Sequence, residues 1–109
     1  MAYAKSELFS KQLQENAEFC KALSHPARLA ILNYLADIKI CITGDITEEL
    51  PLSRTTVNQH LIELKRVGII QGKIHGKETR YCLNPNKLIN YKEQIIKFLT
   101  ELGDIQDNH

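Results

Sequence analysis

Residues 53–60 read SRTTVNQH: short hydroxyls, two amides and one guanidinium within two helical turns. These side chains match the edges of base pairs. Arg54 can fork onto the two acceptors of guanine, Asn58 or Gln59 onto the donor–acceptor pair of adenine, and the methyls of Thr55 and Thr56 can touch that of thymine. Ser53, at the head of the run, offers a hydroxyl to the amides of a helix start. A second group lies at HGKETR, where Lys77 and Arg80 are natural phosphate ligands. The same polar residues would suit the solvated face of any helix. Their clustering in the first turns of a capped helix raises the DNA reading above that alternative.

The charge layout supports the same chemistry. The 109-residue chain has a formal net charge of only +1, which by itself speaks against a nucleic-acid binder. Residues 1–50 hold five Lys/Arg against seven Asp/Glu, and residues 85–109 hold three against four. Residues 51–84 hold six basic residues (Arg54, Lys65, Arg66, Lys73, Lys77, Arg80) against Glu63 and Glu78, so the positive charge is concentrated in the middle third.

Other chemistry finds less support. The three cysteines, Cys20, Cys41 and Cys82, contain no C-x-x-C pair and suit a reducing compartment; we read them as small core residues. A single thiolate cannot build the shell a soft metal needs, so a thiol site would require Cys41 to join Cys20 or Cys82 in space. His25 belongs to the start of a helix, His60 to the edge of a buried stripe, and His75 to solvent or a phosphate. There is no paired acid and base at catalytic spacing, no Gly-rich phosphate loop and no G-x-S-x-G. The expectation is therefore a non-enzyme without a metal or cofactor site.

The elements that must position these residues follow from periodicity. Phe9, Leu13, Ala17 and Cys20 form one stripe of a helix within 5–23. Ser24 is the expected cap, and Pro26 the first turn, of a second, largely buried helix through Leu29, Ile31, Leu32 and Leu35. Residues 38–42 suggest a strand fragment and 44–50 a short helix ended by Pro51. The helix after Ser53 turns Val57, Leu61 and Leu64 one way and Thr55, Gln59 and Arg66 the other, and Gly68 is placed for a positive-φ end. Residues 69–84 read as a β-hairpin tipped by Gly76. A last helix, 86–102, carries Leu88, Tyr91, Ile95, Leu99 and Leu102, and 103–109 is a frayed tail.

The order of elements predicts a mainly α chain with a small β-hairpin (α+β): a helix-turn-helix at 44–67 followed by a basic wing at 69–84, in one domain spanning 1–109. The length fits one small core, and no apolar run reaches the ~18 residues of a membrane span. The terminal helices, 1–23 and 86–102, have wider apolar faces than so small a fold can cover, which predicts a two-fold homodimer.

The chain resembles the ArsR family of bacterial winged-helix repressors at FCKALSHPARLAILNYL, GDITEELPLSRTTVNQHLIELKRVGII and GKIHGKETRYCLNP, over about residues 19–85. The resemblance implies that 53–60 open the recognition helix, that 69–84 are the wing, and that the first and last helices pair across a dimer axis. Family members typically release DNA when a metal, metalloid or oxidant binds, often at a Cys-x-Cys before the recognition helix. Those positions here are Ile42 and Gly44, with Cys41 one residue off, so the motif is absent. Of the family's Asp-x-His and later His-x-x-Glu on the last helix, only Asp107-x-His109 has a counterpart.

The expectation is a cytoplasmic homodimeric repressor on double-stranded DNA with an inverted-repeat operator and an inducer that the residues leave open. A thiol-based metalloid or redox sensor using Cys41 with Cys20 or Cys82, or a winged helix used for protein contact, are the alternatives.

Overall fold

Ser10 starts the first helix: its hydroxyl accepts the amide of Leu13 at 3.2 Å, and α1 runs Lys11–Ala22. The computed structural model describes residues 8–38, 41 and 50–103. The expected strand fragment, apart from Ile38 and Cys41, the expected helix before Leu50, and the tail with Asp107 and His109 lie outside those residues. So does the side chain of His75.

The core side of α1 is Asn16, Phe19, Ala22 and Leu23, not the stripe that periodicity selected. Leu13 is 45% exposed, and Ala17 and Cys20 also point away from that core. With Ile95 and Phe98 they line an apolar groove of about 260 Å³. Periodicity identified an apolar face but not what that face meets.

The second helix, α2, is Pro26–Ile38, so Ile38 is helical rather than part of a strand. Ser24 is not its cap. The Ser24 hydroxyl donates to the Lys21 carbonyl at 2.6 Å, closing α1, while His25 Nδ1 accepts the Ala27 amide at 3.0 Å. Ile31 and Leu35 are buried, but Leu29 is 46% exposed, so α2 is less enclosed than expected.

Next among the described elements is α3, Arg54–Arg66, which ends as Gly68 predicted. Gly68 has φ +86°, and the amides of Gly68 and Ile69 bond back to the carbonyls of Lys65 and Leu64 at 3.0 and 3.2 Å. The left-handed residue turns the chain sharply into β1, Ile70–His75, paired antiparallel with β2, Glu78–Leu83, across a tip where Gly76 has φ +62°. Asn84 closes the hairpin base by donating its amide to the Ile69 carbonyl at 2.9 Å, then caps α4, Pro85–Gly103, through Oδ1 and the Lys87 amide at 3.3 Å.

The core is Ile31 and Leu35 from α2, Val57, Leu61 and Leu64 from α3, and Ile69 and Ile70 at the hairpin base, with Ala22 and Tyr91 joining the outer helices. Tyr91 stacks on Phe19 at 4.4 Å, and its hydroxyl donates to the Val67 carbonyl at 2.6 Å, tying α4 to the end of α3. Burial, with the nearby Glu15 carboxylate, pushes the phenol pKa up, so it stays a donor. Beyond this anchor α4 is open: Ile96, Leu99 and Leu102 are each half exposed or more. No helix among the described residues is long and apolar enough to cross a membrane.

Candidate nucleic-acid interface

Ser53 sets the start of α3. In an extended conformation it accepts the Thr56 amide at 3.2 Å and donates its own proton to the Thr56 hydroxyl at 3.0 Å. Ser53 and Thr56 thus satisfy each other, and Thr56 is half buried beside the cap rather than on the outer face. The helix buries Val57, His60, Leu61 and Leu64. At about 100° per residue, the opposite side carries Thr55, Gln59, Ile62 and Arg66, with Asn58 flanking. Arg54, Thr55, Asn58 and Gln59 are all exposed. Of the sequence-selected residues on α3, these four form one outward polar surface.

This helix is held by its buried apolar residues and braced by Arg28. Its Nη1 donates to the carbonyls of Lys21 and Ala22 at 3.1 and 3.3 Å, and its Nε donates to His60 Nδ1 at 3.2 Å. One guanidinium thus joins the end of α1, the start of α2 and the middle of α3, with its charge near the negative end of the α1 dipole. His60, 7% exposed, lies 4.4 Å from the ring of His25. Burial first, then the His25 ring and the Arg28 charge, lower the His60 pKa. His60 is therefore a neutral structural group, and its Nε2 has no partner among the described residues.

The hairpin register sets out the wing's charges. Lys73 stands directly opposite Arg80, and Ile74 opposite Thr79. Alternation puts Lys73, Arg80 and Cys82 on one face and Gly72, Ile74, Thr79 and Tyr81 on the other. Two like charges facing each other across a ladder are unfavourable without a counter-charge. Glu78 supplies little, since its carboxylate is 3.9 Å from Arg80 Nε with both side chains exposed. Lys77 is exposed at the tip. The sequence reading counted Lys73 in the basic middle but selected only Lys77 and Arg80 as phosphate ligands, although counting the register back from Gly76 would have paired Lys73 with Arg80. Lys65, also counted in the basic middle, reaches over the other face of β1: its Nζ is 3.3 Å from where a Cβ on Gly72 would stand.

Arg66 belongs to the basic middle of the sequence but not to the free charge of this surface. Its Nη2 contacts Glu18 at 2.7 Å and Glu63 at 2.6 Å. The hydrogen bond from Arg66 holds the Glu63 carboxyl below its ordinary pKa, and those to Glu63 and Glu18 raise that of Arg66.

The cysteines depart from expectation. Cys41 and Cys82 form a disulfide, with Cα atoms 4.4 Å apart across a sequence separation of 41. Cys82 is a core residue as expected, but its sulfur is bonded, and Cys20 is a free, exposed thiol rather than a core residue. The bond ties β2, on the Lys73–Arg80 face, to the segment that follows α2. No group of three or more His, Cys, Asp or Glu side chains that could hold a metal occurs among the described residues.

This arrangement has known counterparts. Residues 25–71 match the family described as bacterial regulatory protein, arsR family. The transcriptional repressor PagR of Bacillus anthracis is 34% identical over 90 residues, covering 83% of this chain and 86% of that protein. An ArsR-like transcriptional regulator from Rhodococcus sp. RHA1 superposes with a TM-score of 0.75 at 24% identity, covering 86% of this chain and 88% of that one. A homodimeric winged helix-turn-helix DNA-binding domain from Mycobacterium bovis superposes with a TM-score of 0.65 at 21% identity, covering 96% and 91%. With a capped reading helix, a cationic hairpin behind it and a relative this similar over most of both lengths, the chain belongs to the ArsR family of DNA-binding transcription regulators.

Proposed function

We propose that the chain is a homodimeric repressor that reads an inverted-repeat operator in the cytoplasm. Arg54, Thr55, Asn58 and Gln59 meet base edges in the major groove, and Lys77 and Arg80, joined by Lys73, bind phosphates. The observation that carries this reading is the facing Lys73–Arg80 pair: a hairpin that aligns two cations gains from an anion between them. The dimer reading rests on the open apolar faces of α1 and α4. The Mycobacterium bovis domain, described as homodimeric, has the same fold. A two-fold axis there would set two copies of α3 about one DNA turn apart.

The test is the salt dependence of binding to an operator selected from random duplexes. Each phosphate contact contributes a slope of about −0.9 in log K against log salt. The pair occurs twice in the homodimer, so replacing Lys73 and Arg80 by Ala removes four contacts and should flatten the slope by about 3.6 and lower affinity on all sequences. An unchanged slope rejects the wing contact and favours a winged helix used for protein contact.

The Cys41–Cys82 bond favours a second reading, in which the regulator responds to thiol oxidation. In a reducing compartment such a bond is transient and regulatory. Two thiols and a hydroperoxide would give the disulfide, an alcohol and water. Cys82 is two residues from Arg80 on one strand face, so the bond fixes the base of the phosphate-binding face. Operator affinity that differs between oxidised and reduced protein, and does not in Cys41→Ser, supports this reading; equal affinities reject it.

A further inference from the structure

Ile62 is 63% exposed, an apolar side chain at the centre of the outward face of α3. Its neighbours on that face are Asn58 and Gln59 one turn before it and Arg66 one turn after. No second apolar residue of α3 shares the face, because Val57, Leu61 and Leu64 all point inward. A single isoleucine flanked by amides is too small to dock another protein. It matches one apolar group set among hydrogen-bonding groups, and the major groove presents one such group, the 5-methyl of thymine.

The electrostatics of α3 mark where its reading strip ends. Arg66 is paired with Glu18 and Glu63, which places two carboxylates at the outward edge of the last turn, while the other cation of that turn, Lys65, reaches back over β1. Ile62 is therefore the last outward residue before the helix becomes unsuited to DNA. Seven residues separate it from Thr55, about 10 Å along the helix axis or roughly three base-pair steps.

We propose that Ile62 is a specificity-determining residue: in each half-site its side chain seats against the methyl of one thymine, about three base pairs from the position met by Thr55. This rests on the DNA-binding reading of α3 and adds one base to it. The contact discriminates by burying a methyl against a branched aliphatic chain, so it recognises thymine over uracil as well as over cytosine.

The experiment uses the full chain and an operator selected from a random duplex pool. Each thymine is replaced singly by deoxyuridine, which keeps the pairing and removes only the methyl, and affinity is followed by fluorescence anisotropy. For the wild-type protein one thymine per half-site should lose about fourfold, equivalent to ~0.8 kcal/mol for one buried carbon. Ile62→Ala, at a surface position that does not threaten folding, should bind thymine and deoxyuridine operators equally, at the level of wild type on deoxyuridine. A wild-type penalty that persists unchanged in Ile62→Ala, or the lack of any sensitive thymine at that distance, overturns the proposal while leaving DNA binding intact. Failure of the pool to yield any operator overturns both.

Discussion

Reduction of the Cys41–Cys82 bond should destabilise the fold by an amount set by the loop it closes. With a sequence separation of 41, loop-closure entropy in the unfolded chain gives about 13 cal/mol/K, or about 4 kcal/mol at 25 °C. For a domain of this size each kcal/mol moves the midpoint by roughly 4–8 °C, so the expected fall in melting temperature is roughly 15–30 °C. The assay is thermal unfolding followed by circular dichroism at fixed protein concentration, with and without a phosphine reductant, since dimerisation would make the midpoint concentration-dependent. Cys41→Ser should melt with the reduced wild type in both conditions. Cys20→Ser should follow the wild type in each, because Cys20 is a free thiol on the surface. Coincident curves for oxidised and reduced wild type would refute the reasoning: the bond would then not constrain the unfolded chain.

Arg28→Ala should cost about 2 kcal/mol in urea unfolding, because it removes a donor from the Ala22 carbonyl and from His60 Nδ1 at once, while the Lys21 carbonyl keeps Ser24. A loss below about 1 kcal/mol would show that the three-helix bracket is dispensable. Because the folded pKa of His60 is lowered, the unfolded chain takes up a proton that the folded chain resists. Stability from this group is present above the ordinary value of 6.5 and is lost as pH falls through the folded pKa. His60→Gln should flatten the urea-midpoint profile just below that value, and an unchanged profile would exclude His60 as its source.

Features carried by short-range chemistry were legible in the sequence. Ser53 caps α3, Gly68 and Gly76 take positive φ, and Asn84–Pro85 ends the hairpin, because each depends on residues a few positions away. The outward polar set of α3 was legible by helical period alone, apart from Thr56, whose hydroxyl is engaged by the cap beside it. Misreadings came where distant residues decide. Ser24 and His25 compete for one helix junction, and the carbonyl of Lys21 takes the serine. Arg66 counted as free positive charge although Glu63, three residues before it, already pairs with it; its second partner, Glu18, lies 48 residues away and shows only in the fold. The stripe of Leu13, Ala17 and Cys20 was a true apolar face, but only the packed fold shows that Phe19 and Ala22 take the core and leave that stripe to the α4 groove. The disulfide joins segments that only the tertiary fold brings together.

The bond from the Tyr91 hydroxyl to the Val67 carbonyl has a consequence for how operators could diverge. It fastens the helix proposed to set the dimer axis to the trailing end of the helix proposed to read bases. The distance and angle between two reading heads would then be properties of α4, while the identity of the bases they prefer would be a property of α3. Substitutions along α4 would retune half-site spacing and leave the half-site sequence alone, so one protein of this design could acquire a new operator geometry without changing any residue that touches a base.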